Sequence, residues 1–106
     1  MSSSEQTTLI EYPCDFPIKI IGRVGPSPGV PPDAASLEYG RQVFTQAVLM
    51  IVKRHAPDYD EANLEARISK KNTYLSLTCT IHAVSREQLD ALYQELCDHP
   101  LVLMVL

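Results

Sequence analysis

Residues 63–83 read NLEARISKKNTYLSLTCTIHA, from Asn63 to Ala83. Two alternating runs are written into this stretch. Leu64, Ala66 and Ile68 alternate with Glu65, Arg67 and Ser69; Leu75, Leu77, Cys79 and Ile81 alternate with Tyr74, Ser76, Thr78, Thr80 and His82. A period of two in hydrophobicity places one set of side chains on each face of a strand. The intervening Lys70-Lys71-Asn72 is short and polar. Two such runs joined by such a turn make an antiparallel hairpin.

A helix is expected on each side of this hairpin. Before it, Leu37 to His55 carries Val43, Ala47, Met50 and Ile51 on one face, with Phe44 beside them and Gln42, Gln46 and Lys53 opposite. Leu49 falls within that polar face, as an exposed leucine or one covered by the proline loop or a second chain. Pro57 ends the helix, because the residue before a proline disfavours the helical region. After the hairpin, Ser85-Arg86-Glu87-Gln88 reads as a capping box, in which Ser85 and Gln88 satisfy each other's end amides. Leu89, Leu92, Tyr93 and Leu96 follow at helical spacing.

Strands are expected outside the two helices. Phe16 to Val24 puts Phe16, Ile18, Ile20 and Gly22 on one side and Lys19, Ile21 and Arg23 on the other. Pro13 and Pro17 bracket a turn or an edge segment, and Gly22 marks a bulge or a close backbone approach. The last strand is Leu101-Val102-Leu103-Met104-Val105-Leu106. The order is β-α-β-β-α-β. It predicts an α+β, ferredoxin-like sandwich: a four-stranded antiparallel sheet with two helices on one face, the last strand at one edge and Asn63–Ser69 at the other.

That layout makes the last six residues the candidate interface. They lie on an edge, and part of their apolar surface must point away from the helices. Lysine, proline or a bulge usually blunts such an edge, and none is evident here. Either a second copy covers it, giving a homodimer, or the segment around Leu9-Ile10 folds over it.

The chain has 106 residues, enough for one domain with a single core. Residues 1–8 are small and polar and are expected to form a disordered tail; residues 9–106 form the domain. A Pro/Gly-rich loop is expected at about 25–36, where Gly25-Pro26-Ser27-Pro28-Gly29-Val30-Pro31-Pro32 lacks the donors of regular structure. The net charge of −4 gives no general attraction for phosphate backbones or anionic membranes, so neither nucleic acid nor membrane is expected as a partner. No apolar run approaches the roughly 20 residues needed to span a bilayer. No secretory signal is expected at the N-terminus, and the expected compartment is the cytoplasm.

Catalytic chemistry finds little support in these residues. Cys14, Cys79 and Cys97 are odd in number and lack a zinc-ligand spacing, so reduced thiols and no metal are expected. Cys97-Asp98-His99 brings a thiol, a carboxylate and an imidazole together in sequence, yet neighbours at a helix end point in different directions. His82 is read as a solvated strand residue rather than a proton-transfer group. RNA-recognition modules stack bases on exposed strand aromatics; the outward residues after Tyr74 are hydroxyls, which cannot stack. The proline-laden Gly25–Pro32 stretch does not offer the run of amides of a phosphate cradle. No enzyme, catalytic residue or cofactor is expected.

The spaced pattern Leu9-Ile10-Glu11-Tyr12-Pro13, Phe16, Lys19, Gly22, Arg54-His55-Ala56-Pro57, Tyr74-Leu75-Ser76, Leu92-Tyr93-Gln94-Glu95-Leu96 and Met104-Val105-Leu106 resembles the YbeD-like family of small bacterial proteins. The likeness covers most of residues 9–106. It implies a ferredoxin-like fold similar to the ACT regulatory domains of amino-acid enzymes, and it supplies no catalytic residues. Gly25–Glu38 departs from the family pattern as an insertion. ACT domains bind small effectors near this junction, often at a Pro-Gly, and Pro28-Gly29 is similar. The candidate ligand-binding residues are therefore Gly22, Arg23, Gly25 and Gly29.

Two functional readings follow. One is a non-enzymatic regulatory or binding domain that senses a small metabolite as a dimer. The other is a protein–protein adaptor that uses the open sheet face or the proline-rich loop.

Overall fold

A computed structural model of the chain describes residues 11–25 and 34–106. The expected tail at 1–8, the Leu9-Ile10 segment and most of the proline-rich stretch, including Gly29, lie outside them. In chain order the elements are β1 (Cys14–Arg23), α1 (Ala34–His55), a 3-10 turn (Glu61–Asn63), β2 (Glu65–Ile68), β3 (Tyr74–Ala83), α2 (Arg86–Asp98) and β4 (Val102–Val105). The sheet order is β2-β3-β1-β4, and every pairing is antiparallel. This is the expected ferredoxin-like α+β fold, with β2 and β4 at the edges.

The hairpin forms as its alternation requires. Leu75, Leu77, Cys79, Ile81 and Ala83 of β3 are buried, as are Ile18 and Ile20 of the neighbouring β1. Ser69 and Tyr74 close the turn through Ser69 N–H to the Tyr74 carbonyl, 2.9 Å. The Ser69 hydroxyl accepts from the amides of Thr73 and Tyr74 at 3.2 and 3.1 Å. Asn72 takes the left-handed conformation, φ 58°, which asparagine tolerates better than most residues. β2 is shorter than the alternation predicts, because residues 61–63 wind into the 3-10 turn, capped by Asp60 accepting from Ala62 N–H at 2.9 Å. At this edge Ala66 is exposed, while Leu64 and Ile68 are half-buried.

Pro17 sits in β1, opposite Thr80. Lys19 exchanges both backbone hydrogen bonds with Leu106, at 3.1 and 2.8 Å. By the period of two, position 17 also directs its nitrogen toward the β4 side, but beyond the end of β4. The donor that proline lacks would have had no ladder partner among the described residues, which is how proline is tolerated in an otherwise central strand.

Helix α1 spans Ala34–His55, so it begins three residues before the Leu37 expected and takes up the last positions of the 25–36 stretch. Its buried stripe is Phe44, Val48, Ile51 and Val52, rotated by about one residue from the sequence reading. Met50, expected inward, is 63% exposed, and Leu49 packs partly against the core. Gly22 sets this rotation. A β-carbon there would collide with the Phe44 ring and lie 2.7 Å from the Leu101 carbonyl oxygen. The absent side chain is the seat of Phe44. Leu89, Leu92 and Leu96 of α2 complete the core. Burying each such side chain fully contributes roughly 1.5–3 kcal/mol.

The α2 start confirms half of the expected capping box. Ser85 Oγ accepts from Gln88 N–H at 3.1 Å. The Gln88 side chain reaches one residue further back, accepting from Val84 N–H at 2.7 Å, and donates to the His55 carbonyl at 2.8 Å. It thereby ties the end of α1 to the start of α2.

Candidate functional site

The face of the sheet away from the helices carries the remaining polar side chains in cross-strand rows. Asp15 lies opposite His82, Lys19 opposite Thr78, Ile21 opposite Ser76, and Arg23 opposite Tyr74. On the other flank of β3, Glu65 pairs with Thr78 and Arg67 with Ser76. The short hydroxyls of β3 thus lie between longer side chains from β1 and β2, and this difference in length produces a trough along β3.

Two hollows occupy the trough. One, about 270 Å³, is lined by Lys19, Glu65, Ala66, Arg67, Ser76 and Thr78. The other, about 410 Å³, is lined by Asp15, Asp58, Asp60, Glu65, Thr80 and His82 among others. Glu65 belongs to both. The first carries two cations and one carboxylate; the second is strongly acidic. The charge therefore reverses along one strand, within about four residues or roughly 13 Å. His82 Nδ1 and Asp15 Oδ1 are 3.6 Å apart on exposed side chains, a geometry that contributes little energy in water.

Tyr59 is also at the wall of the acidic hollow; its hydroxyl is buried, with the Cys79 thiol as its polar neighbour and no partner at full hydrogen-bond geometry among the described residues. Burial pushes its pKa well above the ordinary tyrosine value, with the neighbouring Cys79 adding to the effect. Burial likewise raises the Cys79 thiol. Cys79 is a core thiol, as the alternation predicts.

The remaining histidines are engaged locally. His55 Nε2 lies 2.6 Å from Glu95 Oε1, and Arg54 pairs with the other oxygen of the same carboxylate. His99 Nδ1 accepts from Leu101 N–H at 3.1 Å. Asp98 accepts from the Gln94 side-chain amide, and Cys97 is exposed. The Cys97-Asp98-His99 run thus faces separate surroundings. Among the described residues, no three His, Cys, Asp or Glu side chains converge in a metal-holding group, and no helix is long and apolar enough to cross a membrane.

The residues chosen for ligand binding from sequence fall at the far end of β1. Gly22 is occupied by its packing against Phe44. At Gly25 a β-carbon would lie 2.6 Å from Thr73 Cα, and the amides of Val24 and Gly25 both donate to the Thr73 carbonyl, at 2.8 and 2.9 Å. Arg23 is exposed on the open face beside Tyr74. None of the three lines either hollow.

The β4 edge has a distinct character. Val102 and Val105 turn toward the helices and pack partly against the core. Leu101, Leu103, Met104 and Leu106 are 37, 62, 48 and 60% exposed. Met104 lies opposite Ile21, so an apolar strip runs down this margin of the open face. The register shifts between Ile21 and Gly22, and the pairing skips Leu103. The edge therefore carries a bulge after all, where the sequence reading of the hexapeptide had none and that of Gly22 had one.

Alternation could have placed Asp15 beside His82. It gives no means of bringing Asp58 and Asp60 to the same end of the trough, because they lie in the irregular segment after Pro57.

Comparison with known proteins places the chain in a family. The model of a protein family of unknown function, DUF493, matches residues 7–106. A UPF0250 protein of Nitrosomonas europaea is 54% identical over 101 residues, covering 95% of this chain and 98% of its own. Another from Bordetella pertussis is 42% identical, covering 95% and 93%. A third from a Janthinobacterium strain is 40% identical over the whole of both chains. No solved structure matches. The chain belongs to the DUF493, or UPF0250, family of small bacterial proteins, the YbeD-like group that its spaced residue pattern resembles.

Proposed function

We propose that this protein is a non-enzymatic binding domain that works as a homodimer, joined through the outer edges of two β4 strands, and that responds to a small metabolite. One observation carries the reading: the outer margin of β4 combines exposed Leu103, Met104 and Leu106 with a backbone edge that no strand pairs among the described residues. Pairing two such edges about a two-fold axis satisfies backbone groups and buries apolar side chains at once. The bulge at Leu103 limits the ladder to a short stretch and so favours one register.

The histidines support a non-catalytic role. His55 belongs to a helix-to-helix contact with Glu95 and His99 to a turn. His82 is paired only loosely with an exposed aspartate.

Light scattering at tens of micromolar tests the dimer. The expected mass is twice the 11.8 kDa of the chain. Leu103→Lys places a charge on the margin and is expected to give the single-chain mass with an unchanged helical circular dichroism spectrum. A single-chain mass for the unsubstituted protein would reject the reading. Thermal-shift screening of metabolites tests the second part, and a screen in which none moves the melting temperature would remove it.

A further inference from the structure

We infer that the metabolite is a compact oxyanion, a carboxylate or a phosphate, and that it binds in the hollow lined by Lys19, Arg67, Ser76 and Thr78 on the open face of the sheet. This rests on the reading of a ligand-responsive domain but not on the dimer.

Four features of the hollow lead there. Lys19 and Arg67 approach it from opposite flanks of β3, one on β1 and one on β2. Neither forms an ion pair among the described residues; Arg23, Lys70 and Lys71 are also unpaired there, but they lie outside the hollow. Ser76 and Thr78 form the floor, half-buried between the two cations, and can donate hydroxyl hydrogens. The guanidinium of Arg67 presents the planar fork that matches carboxylate and phosphate oxygens in pairs.

The surroundings limit the ligand further. The hollow is about 270 Å³, so the molecule must be small. Beyond Glu65 the trough becomes acidic through Asp15, Asp58 and Asp60. An extended polyanion would meet repulsion within two or three subunits of its length, which disfavours nucleic acid on this face. Glu65, at the junction, can accept a hydrogen bond from a hydroxyl or amino group beside the oxyanion.

The test is a titration followed by amide resonances. Sodium phosphate and sodium lactate are the probes, with sodium chloride at matched ionic strength as control. Saturable shifts centred on Lys19, Arg67, Ser76 and Thr78 are expected with phosphate, lactate or both; which probe produces them identifies the source of the oxyanion. Arg67→Gln is expected to weaken binding at least ten-fold. Arg23→Gln, of equal charge change but outside the hollow, is expected to weaken it less than two-fold. Shifts no larger than those with chloride would overturn the inference. So would equal losses in the two variants, which indicate diffuse electrostatics, or a larger loss in Arg23→Gln, which moves the site to the end of β1. If these fail while another metabolite shifts the melting temperature, the hollow is rejected and the ligand-responsive domain stands.

Discussion

The side-chain amide of Gln88, at the start of α2, donates to the backbone carbonyl of His55, at the end of α1, over 2.8 Å. The same side chain accepts from Val84 N–H at 2.7 Å. One glutamine therefore ties the end of one helix to the start of the next, across 33 residues from His55 to Gln88. Beside it, Glu95 holds both Arg54 and His55.

Gln88→Ala should uncap both ends together. Two hydrogen bonds to backbone groups are lost, at about 0.5–1.5 kcal/mol each. Urea denaturation should show a loss of about 1–3 kcal/mol with little change in the slope. Gln88→Glu keeps the acceptor for Val84 but loses the donor to His55, and should lie between. Equal stability of all three proteins would mean the bonds to Val84 and His55 contribute nothing in solution.

Gly22→Ala should destabilise the fold by overpacking. The added methyl meets the Phe44 ring on one side and the Leu101 carbonyl on the other. A cost of about 1–3 kcal/mol is expected, measurable by thermal or urea melts. Because Leu101 leads into β4, hydrogen exchange in Val102–Val105 should also accelerate. Pairing Gly22→Ala with Phe44→Leu should recover part of the loss, since the smaller side chain vacates the seat. Additive losses would place the strain elsewhere.

Tyr59 and Cys79 should give the fold an alkaline limit. Burial raises both groups above their ordinary values of 10.0 and 9.0. Above those values the unfolded chain has released protons that the folded chain still holds. Stability is therefore fully present below about pH 9 and falls as pH rises, by up to about 1.4 kcal/mol per pH unit for each group. Tyr59→Phe removes the tyrosine contribution and a buried hydroxyl without a partner at full hydrogen-bond geometry among the described residues. At neutral pH it should leave stability unchanged or raise it by about 1 kcal/mol, and it should flatten the fall above pH 10. A loss of more than 1 kcal/mol at neutral pH would show that the hydroxyl has a partner in solution.

The residues differ in what they disclose before a structure is known. The alternation of Tyr74–Ala83 and the N-cap at Ser85 are local signals, and both stand. The element order then leaves one sheet topology that avoids crossed connections. The rotation of α1 is not local. Apolar residues lie around much of that helix, and the choice between Met50 and Val48 is made by Phe44 settling over a glycine 22 positions earlier. The second contact of Gln88 is equally remote. For the candidate sites, the apolar β4 margin is legible in Leu101–Leu106, but its bulge depends on register with β1. The hollow needs two strands flanking a third with shorter side chains, a relation visible only once Arg67, Ser76 and Lys19 are placed in rows.

The dimer has a direct reporter in one amide. Lys19 and Leu106 exchange both of their backbone bonds, so the next pair, Ile20 and Val105, is a non-bonded pair whose backbone groups point apart. The Val105 amide is therefore directed to the outer edge of β4. Its hydrogen exchange, followed from sub-micromolar to tens of micromolar protein, measures whether a second strand meets that edge. Dimerisation through this edge requires exchange that slows as concentration rises, in step with the mass seen by light scattering. Exchange at the rate of an open peptide at every concentration, or equal protection in the dilute single chain, would contradict it.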